Sequence, residues 1–179
     1  MDCGASKAFA IADHQVAHVY VNDPSLLTAV RTLLEKTEGV ARVLDADGQR
    51  AAGLDHERSG DLVAFSAEDA WFNYYYWDDE RKAPDFARCV DIHRKYGYDP
   101  VELFLGVSKL AVAAKLLKKK LGFRGLMDVI PLDPSLVKGS HGTCPASSEE
   151  WPVLIGTGSA NEAIDATAVH ERLLTACRG

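Results

Sequence analysis

No stretch of this sequence approaches the roughly 18 to 20 consecutive apolar residues that span a bilayer, so no transmembrane helix is expected. Basic excess is missing too: 20 lysines and arginines stand against 26 aspartates and glutamates, a net charge of −6. That balance leaves no electrostatic footprint for nucleic acid and no attraction to an anionic membrane surface. The four cysteines, Cys3, Cys89, Cys144 and Cys177, are widely spaced with no Cys-x-x-Cys pair. Zinc-finger and redox readings therefore get little support, and reduced thiols in a cytoplasmic protein are expected. Residues 1–4 carry neither a basic region nor an apolar core, so no signal peptide is expected. A Walker-type phosphate loop, a Gly-x-Ser-x-Gly elbow and a His-Glu-x-x-His pair are all absent. No nucleophile stands out either. Ser140 lies beside His141, but adjacent side chains point differently and a serine needs a base folded against its hydroxyl.

What is present is apolar material for one sizeable core. A length of 179 residues at 47% hydrophobic predicts a single globular domain over 1–179. Phe9 to Val21 reads as strand, with polar Asp13-His14-Gln15 at a turn. Asp23 and Pro24 announce a helix over about residues 24 to 38, with Leu26, Leu27, Val30, Leu33 and Leu34 on one apolar face and Gly39 closing it. A strand at Val40 to Leu44, a turn over 45–48 and a strand from Asp61 to Phe65 follow. Lys109 to Leu121 is expected as a helix ended by Gly122. Its lysines, Lys115, Lys118, Lys119 and Lys120, complement the helix dipole and read as a solvated face. Asp133-Pro134 starts a short turn, Trp151 to Ile155 reads as strand, and residues 166 to 176 as a terminal helix. The alternation predicts an α/β fold, a three-layer sandwich with a mostly parallel sheet.

Gly139-Ser140-His141-Gly142 places a histidine between small residues in a loop, where it is either a turn residue or a ligand. Glycines on both sides permit close backbone approach and unusual dihedrals. His14 and His18 are four apart, a ligand spacing in a helix, whereas a strand separates them by about 13 Å. His56 lies in a polar loop where Arg58 and Asp61 would form an ion pair, and His170 reads as structural. Asp91 and His93 share one side of an extended chain, with Tyr98 and Asp99 downstream and Gly97 permitting a sharp turn. They read as a secondary polar cluster beside the His141 cleft, or as a solvated loop braced by Asp91–Arg94 or Asp85–Arg88 pairs. Trp71 to Trp77 is almost entirely aromatic. It reads either as an edge strand under the following loop, or as an aromatic wall of a pocket or subunit contact, with Tyr74 and Tyr76 as cleft candidates.

Several stretches together resemble the alkaline phosphatase superfamily, in its type I phosphodiesterase/nucleotide pyrophosphatase branch. They are Ala12 to Val21, His56 to Val63, Trp71 to Trp77, Ala83 to Arg88, Asp91 to Lys95, Gly97 to Phe104 and Lys138 to Gly142, within about residues 5 to 175. Arg-Ser-Gly-Asp-Leu-Val and Gly-Ser-His-Gly look like pieces shared across the superfamily, and the remainder like one bacterial subgroup. The resemblance implies a metal-dependent phosphoester hydrolase acting on a small-molecule phosphoester. It implies two divalent metals, usually zinc, held by carboxylates and histidines around a Thr or Ser nucleophile and acting as Lewis acids. On this chain it places one ligand, His141. Asp13-His14 resembles the family's Asp-His pair, followed by Gln15 where the family has glycine, so Asp13 and His14 are secondary metal candidates. The nucleophile and first ligands have no counterpart. The chain is therefore expected to be the C-terminal portion of a larger hydrolase, an incomplete alkaline-phosphatase-like fold that is inactive alone, since one ligand cannot hold two metals. A missing half would leave an exposed sheet edge or an apolar surface covered in a homo-oligomer. Three alternatives stand beside this reading: a non-catalytic binding or oligomerisation module using the 71–77 segment, a self-sufficient small enzyme with a site built from Asp91, His93 and His141, and a member of the superfamily that has lost hydrolysis.

Overall fold

The computed structural model describes residues 2–77, 79–90, 100–156 and 163–178. The chain packs as two units, Met1–Cys144 and Pro145–Gly179.

In the first unit the Phe9-to-Val21 stretch forms two strands, β1 (Ala8–Asp13) and β2 (Val16–Val21), joined by the expected turn. The helix α1 (Leu27–Glu35), the strand β3 (Val40–Leu44), the short helix α2 (Ala46–Ala51) and the strand β4 (Leu62–Ser66) follow. The helix α3 (Lys109–Lys120) comes after a long irregular stretch. The sheet order is β1-β2-β4-β3, and every neighbouring pair is antiparallel. This corrects the expected mostly parallel three-layer sandwich, and with it the alkaline-phosphatase-like sheet. The physical reason lies in β2–α1–β3. Those two strands do run the same way, as a strand–helix–strand pattern suggests, but β4 inserts between them and opposes both, a split crossover. Local periodicity reports the elements and is silent on which later strand fills the gap.

β4 is buried along its whole length, with Leu62, Val63 and Ala64 at 0% exposure. A strand covered on both faces reads as an unbroken apolar run, as Leu62 to Phe65 does. On one face Leu62 and Ala64 meet Ala17, Val19, Val21 and Val43, and Val30 and Leu34 of α1 close over them with Leu26. The start of α1 is fixed as its sequence suggests. Asp23 accepts from the Ser25 N–H, Pro24 opens a 3-10 turn over Pro24–Leu26, and the α-helix continues from Leu27. The expected turn over 45–48 proves to be the beginning of α2, where the Asp45 carboxylate accepts from the Gly48 N–H. Arg31 of α1 also pairs with Asp45.

The Asp23-Pro24-Ser25-Leu26 sequence recurs as Asp133-Pro134-Ser135-Leu136, with the same 3-10 turn and the same aspartate cap. Only the first copy runs on into an α-helix, because apolar helix-forming residues follow it while Val137-Lys138-Gly139 follows the second. A smaller cluster elsewhere in the unit buries Ala87, Cys89, Val101, Val129, Ile130 and Leu132. It is tied by Ile130 N–H to Arg88 O and Gly106 N–H to Val129 O.

Two further expectations are corrected. Trp71 to Trp77 forms no strand; the segment leaves the sheet as an irregular loop. In the second unit Trp151 to Ile155 is likewise not a strand. A 3-10 turn over Ser148–Glu150 leads into an extended segment with Val153 82% and Ile155 90% exposed. An apolar run becomes a strand only with a partner to bond. The terminal helix α4 (Val169–Arg178) follows a 3-10 turn capped by Asp165. Among the described residues no helix is long and apolar enough to cross a membrane.

Candidate metal centre

The β1–β2 hairpin turns through two residues, His14 and Gln15, between the paired Asp13 and Val16. His14 has φ +56°, and among the described residues it is the one non-glycine with positive φ. That region costs a side-chain-bearing residue of order 1–3 kcal/mol and recurs at functional sites. In a regular strand Asp13 and His14 would point to opposite faces. The left-handed turn breaks this alternation and lets two neighbouring side chains serve one site.

Gln15 locks the turn in place. Its buried amide Nε2 donates toward the carbonyls of Ala67, Glu68 and Ala70, at 3.3, 3.3 and 3.2 Å. Its side-chain oxygen accepts from the Thr143 hydroxyl. The Gln15 N–H donates to the His141 carbonyl at 2.9 Å, which fastens the histidine loop to the hairpin. Gly142 makes that approach feasible. Its φ is +122°, and a β-carbon there would stand 3.0 Å from Val16 Cγ2.

These bonds bring Asp13, His14 and His141 together, with one donor atom from each within 4.8 Å of the others. The His14 and His141 rings lie 4.1 Å apart, centroid to centroid. His14 is buried, whereas Asp13 and His141 are exposed. The group could hold a metal ion. Two imidazoles and a carboxylate are an ordinary donor set for a divalent transition metal. Tetrahedral donors about 2.1 Å from an ion stand about 3.4 Å apart, so closing on one requires side-chain movement of order an ångström. Ser140 Oγ lies 2.8 Å from His14 Nδ1 and fixes the ring. Trp71 and Tyr74 flank the same ring at 6.3 and 6.4 Å, Tyr74 edge-on.

Of the residues expected at the site, His141, His14 and Asp13 converge and Tyr74 joins them. Tyr76 packs against Trp77, on which Tyr75 also stacks. Asp91, His93, Tyr98 and Asp99 lie outside the described residues. His18 and His56 have structural partners: His18 Nδ1 accepts from the Gly60 N–H, and His56 Nδ1 from the Arg58 N–H. The expected Arg58–Asp61 pair gives way to Asp61 accepting from the Val21 N–H. In place of an Asp85–Arg88 pair, Arg88 pairs with Glu80. Sequence reasoning missed Trp71 as an individual site residue, Gln15 as the brace and Ser140 as a partner of His14. Only the aromatic run and the serine beside a histidine hinted at any of them.

Comparison with protein-family models, with curated proteins and with solved structures finds no match to this chain.

Proposed function

We propose that Asp13, His14 and His141 hold one divalent transition-metal ion, zinc being the metal that the resemblance implies, and that the site serves hydrolysis of a small phosphoester. The observation that carries the reading is the convergence of three donors from two distant segments within 4.8 Å. Three protein ligands leave a coordination position open, the arrangement of catalytic rather than structural zinc sites. Among the described residues a single such group is found, so the reading is of one ion and not of the pair that the resemblance implies. When bound, the ion would supply Lewis acidity toward a phosphoryl oxygen or water.

The chain's own residues have distinct roles in this reading. The Asp13 carboxylate offsets part of the ion's charge. Ser140 holds His14 Nδ1 and so presents Nε2 to the metal, the way partner groups commonly fix a ligating ring. Trp71 and Tyr74 wall the His14 side against water. The phosphoester preference draws on the resemblance of the Gly-Ser-His-Gly and Arg-Ser-Gly-Asp-Leu-Val segments. The aromatic run supports the cleft-wall role over a docking role, because Trp71 and Tyr74 lie against His14 and Tyr75 to Trp77 pack on one another. All four cysteines are free thiols, which suits the reducing cytoplasm as the proposed location.

The test is zinc content after equilibrium dialysis, together with turnover of bis(p-nitrophenyl) phosphate, for the parent protein and Asp13→Asn. Zinc binding with turnover, both reduced in the variant, supports the reading. Zinc binding without turnover leaves a metal-binding domain and ends its hydrolytic part. Neither binding nor turnover ends the whole.

A further inference from the structure

The end of α3 builds a second feature that the metal centre does not use. Gly122, at φ +87°, terminates the helix: its N–H donates to Lys119 O, and the Phe123 N–H donates to Lys118 O. This paired pattern is a Schellman turn, which needs a residue tolerant of the left-handed region. It reverses the chain, so that residues 123–128 run back along the helix. At the far end Lys115 Nζ meets Asp128 Oδ1 at 2.6 Å. Between helix and returning chain lies a cleft of about 350 Å³, lined by Lys115, Lys118, Lys119, Phe123, Arg124 and Asp128 among others.

Four cations face one carboxylate in this cleft, on a chain whose net charge is −6. Asp128 answers Lys115, and among the described residues Lys118, Lys119 and Arg124 have no ion-pair partner. Lys115, Lys118 and Lys119 also stand at i, i+3 and i+4, on one helical face, where like charges disfavour the helix. The Schellman turn already satisfies the carbonyls of Lys118 and Lys119, so the lysine side chains are not needed as partners for them. Phe123, 66% exposed, adds an aromatic face at the same cleft. The volume falls at the lower end of small-molecule sites, about 300–1,000 Å³, too small to seat a macromolecule.

We infer that the α3 cleft binds a small phosphorylated molecule with a flat ring, of the nucleotide class, its phosphates on Lys118, Lys119 and Arg124 and its ring on Phe123. Ammonium and guanidinium groups form charge-assisted bonds to phosphate oxygens, and an exposed aromatic face offers stacking. The inference is independent of the metal centre.

The experiment titrates the full chain with adenosine diphosphate, inorganic pyrophosphate and a single-stranded oligonucleotide, followed by calorimetry. Variants are Lys118→Ala/Lys119→Ala, Arg124→Gln and Phe123→Ala. Saturable nucleotide binding is expected. The double lysine variant and Arg124→Gln should each weaken it about tenfold or more. Phe123→Ala should weaken the nucleotide and leave pyrophosphate unchanged. The double variant removes like charges but also two cations that complement the helix dipole, so circular dichroism is used only to confirm that each variant is folded before binding is compared. No saturable binding at about 1 mM, equal binding by the lysine and Arg124 variants, or tighter binding of the oligonucleotide than of the nucleotide would overturn the inference.

Discussion

At the scale of single residues, the candidate site depends on two backbone conformations that most side chains avoid. His14 accepts φ +56° at the hairpin turn and thereby shares a site with the residue before it. Gly142 takes φ +122° against Val16, which lets the His141 carbonyl reach the Gln15 N–H. Gly142→Ala should cost about 1–3 kcal/mol from the dihedral, aggravated by the contact with Val16 Cγ2. Urea denaturation would show it as a lower midpoint, and an unchanged midpoint would mean that the loop does not lie against the hairpin. This requirement was legible in the sequence, since a glycine beside Ser-His in a loop signals close approach. The left-handed His14 was not, because glycine, asparagine and aspartate are the residues that advertise such a turn. Gln15 was equally hidden: a glutamine looks the same in sequence whether it faces water or braces three carbonyls.

At the scale of elements, the four strands of the sheet and two of the aspartate caps lie where they were read, and other segments misled. Asp23-Pro24 opens the expected helix through a 3-10 turn, and Asp133-Pro134 opens the expected short turn. Residues 45–48 were read as a turn, yet Asp45 caps α2 there. Its carboxyl is held below the usual aspartate range, first by the Gly48 N–H and then by Arg31. A carboxyl with a lowered folded-state pKa contributes stability above its unfolded pKa of about 3.9 and loses it as pH falls through the folded value. Asp45→Asn should therefore unfold with a flatter acid limb than the parent below about pH 4. Parallel acid limbs in circular dichroism would show that the cap and ion pair add nothing. Trp151 to Ile155 and the aromatic run misled for the same reason. β-Branched and aromatic content marks residues suited to a sheet, and a strand further requires an edge with open hydrogen bonds.

At the scale of the whole molecule, direction was the missing information. Strand, helix and strand in order suggested parallel pairing, and β2 and β3 do share a direction, but β4 arrives later in the chain and occupies the slot between them. Only tertiary packing decides that slot. The apolar run of Leu62 to Phe65 was nevertheless a fair sign of a strand buried on both faces. Leu62→Ala should cost about 2–5 kcal/mol, read as a shift of the denaturation midpoint. A loss near zero would place Leu62 outside the core. The candidate site was legible only in pieces: His141 stood out, Asp13 and His14 were secondary, and only folding joined them.

Whether Asp13, His14 and His141 form one metal centre can be read from titration with cobalt(II), whose absorption reports its ligands. A visible ligand-field spectrum is expected that saturates at about one ion per chain, bleaches when zinc is added, and disappears in both His14→Ala and His141→Ala. A spectrum that survives both substitutions, or none at all in the parent protein, would contradict it.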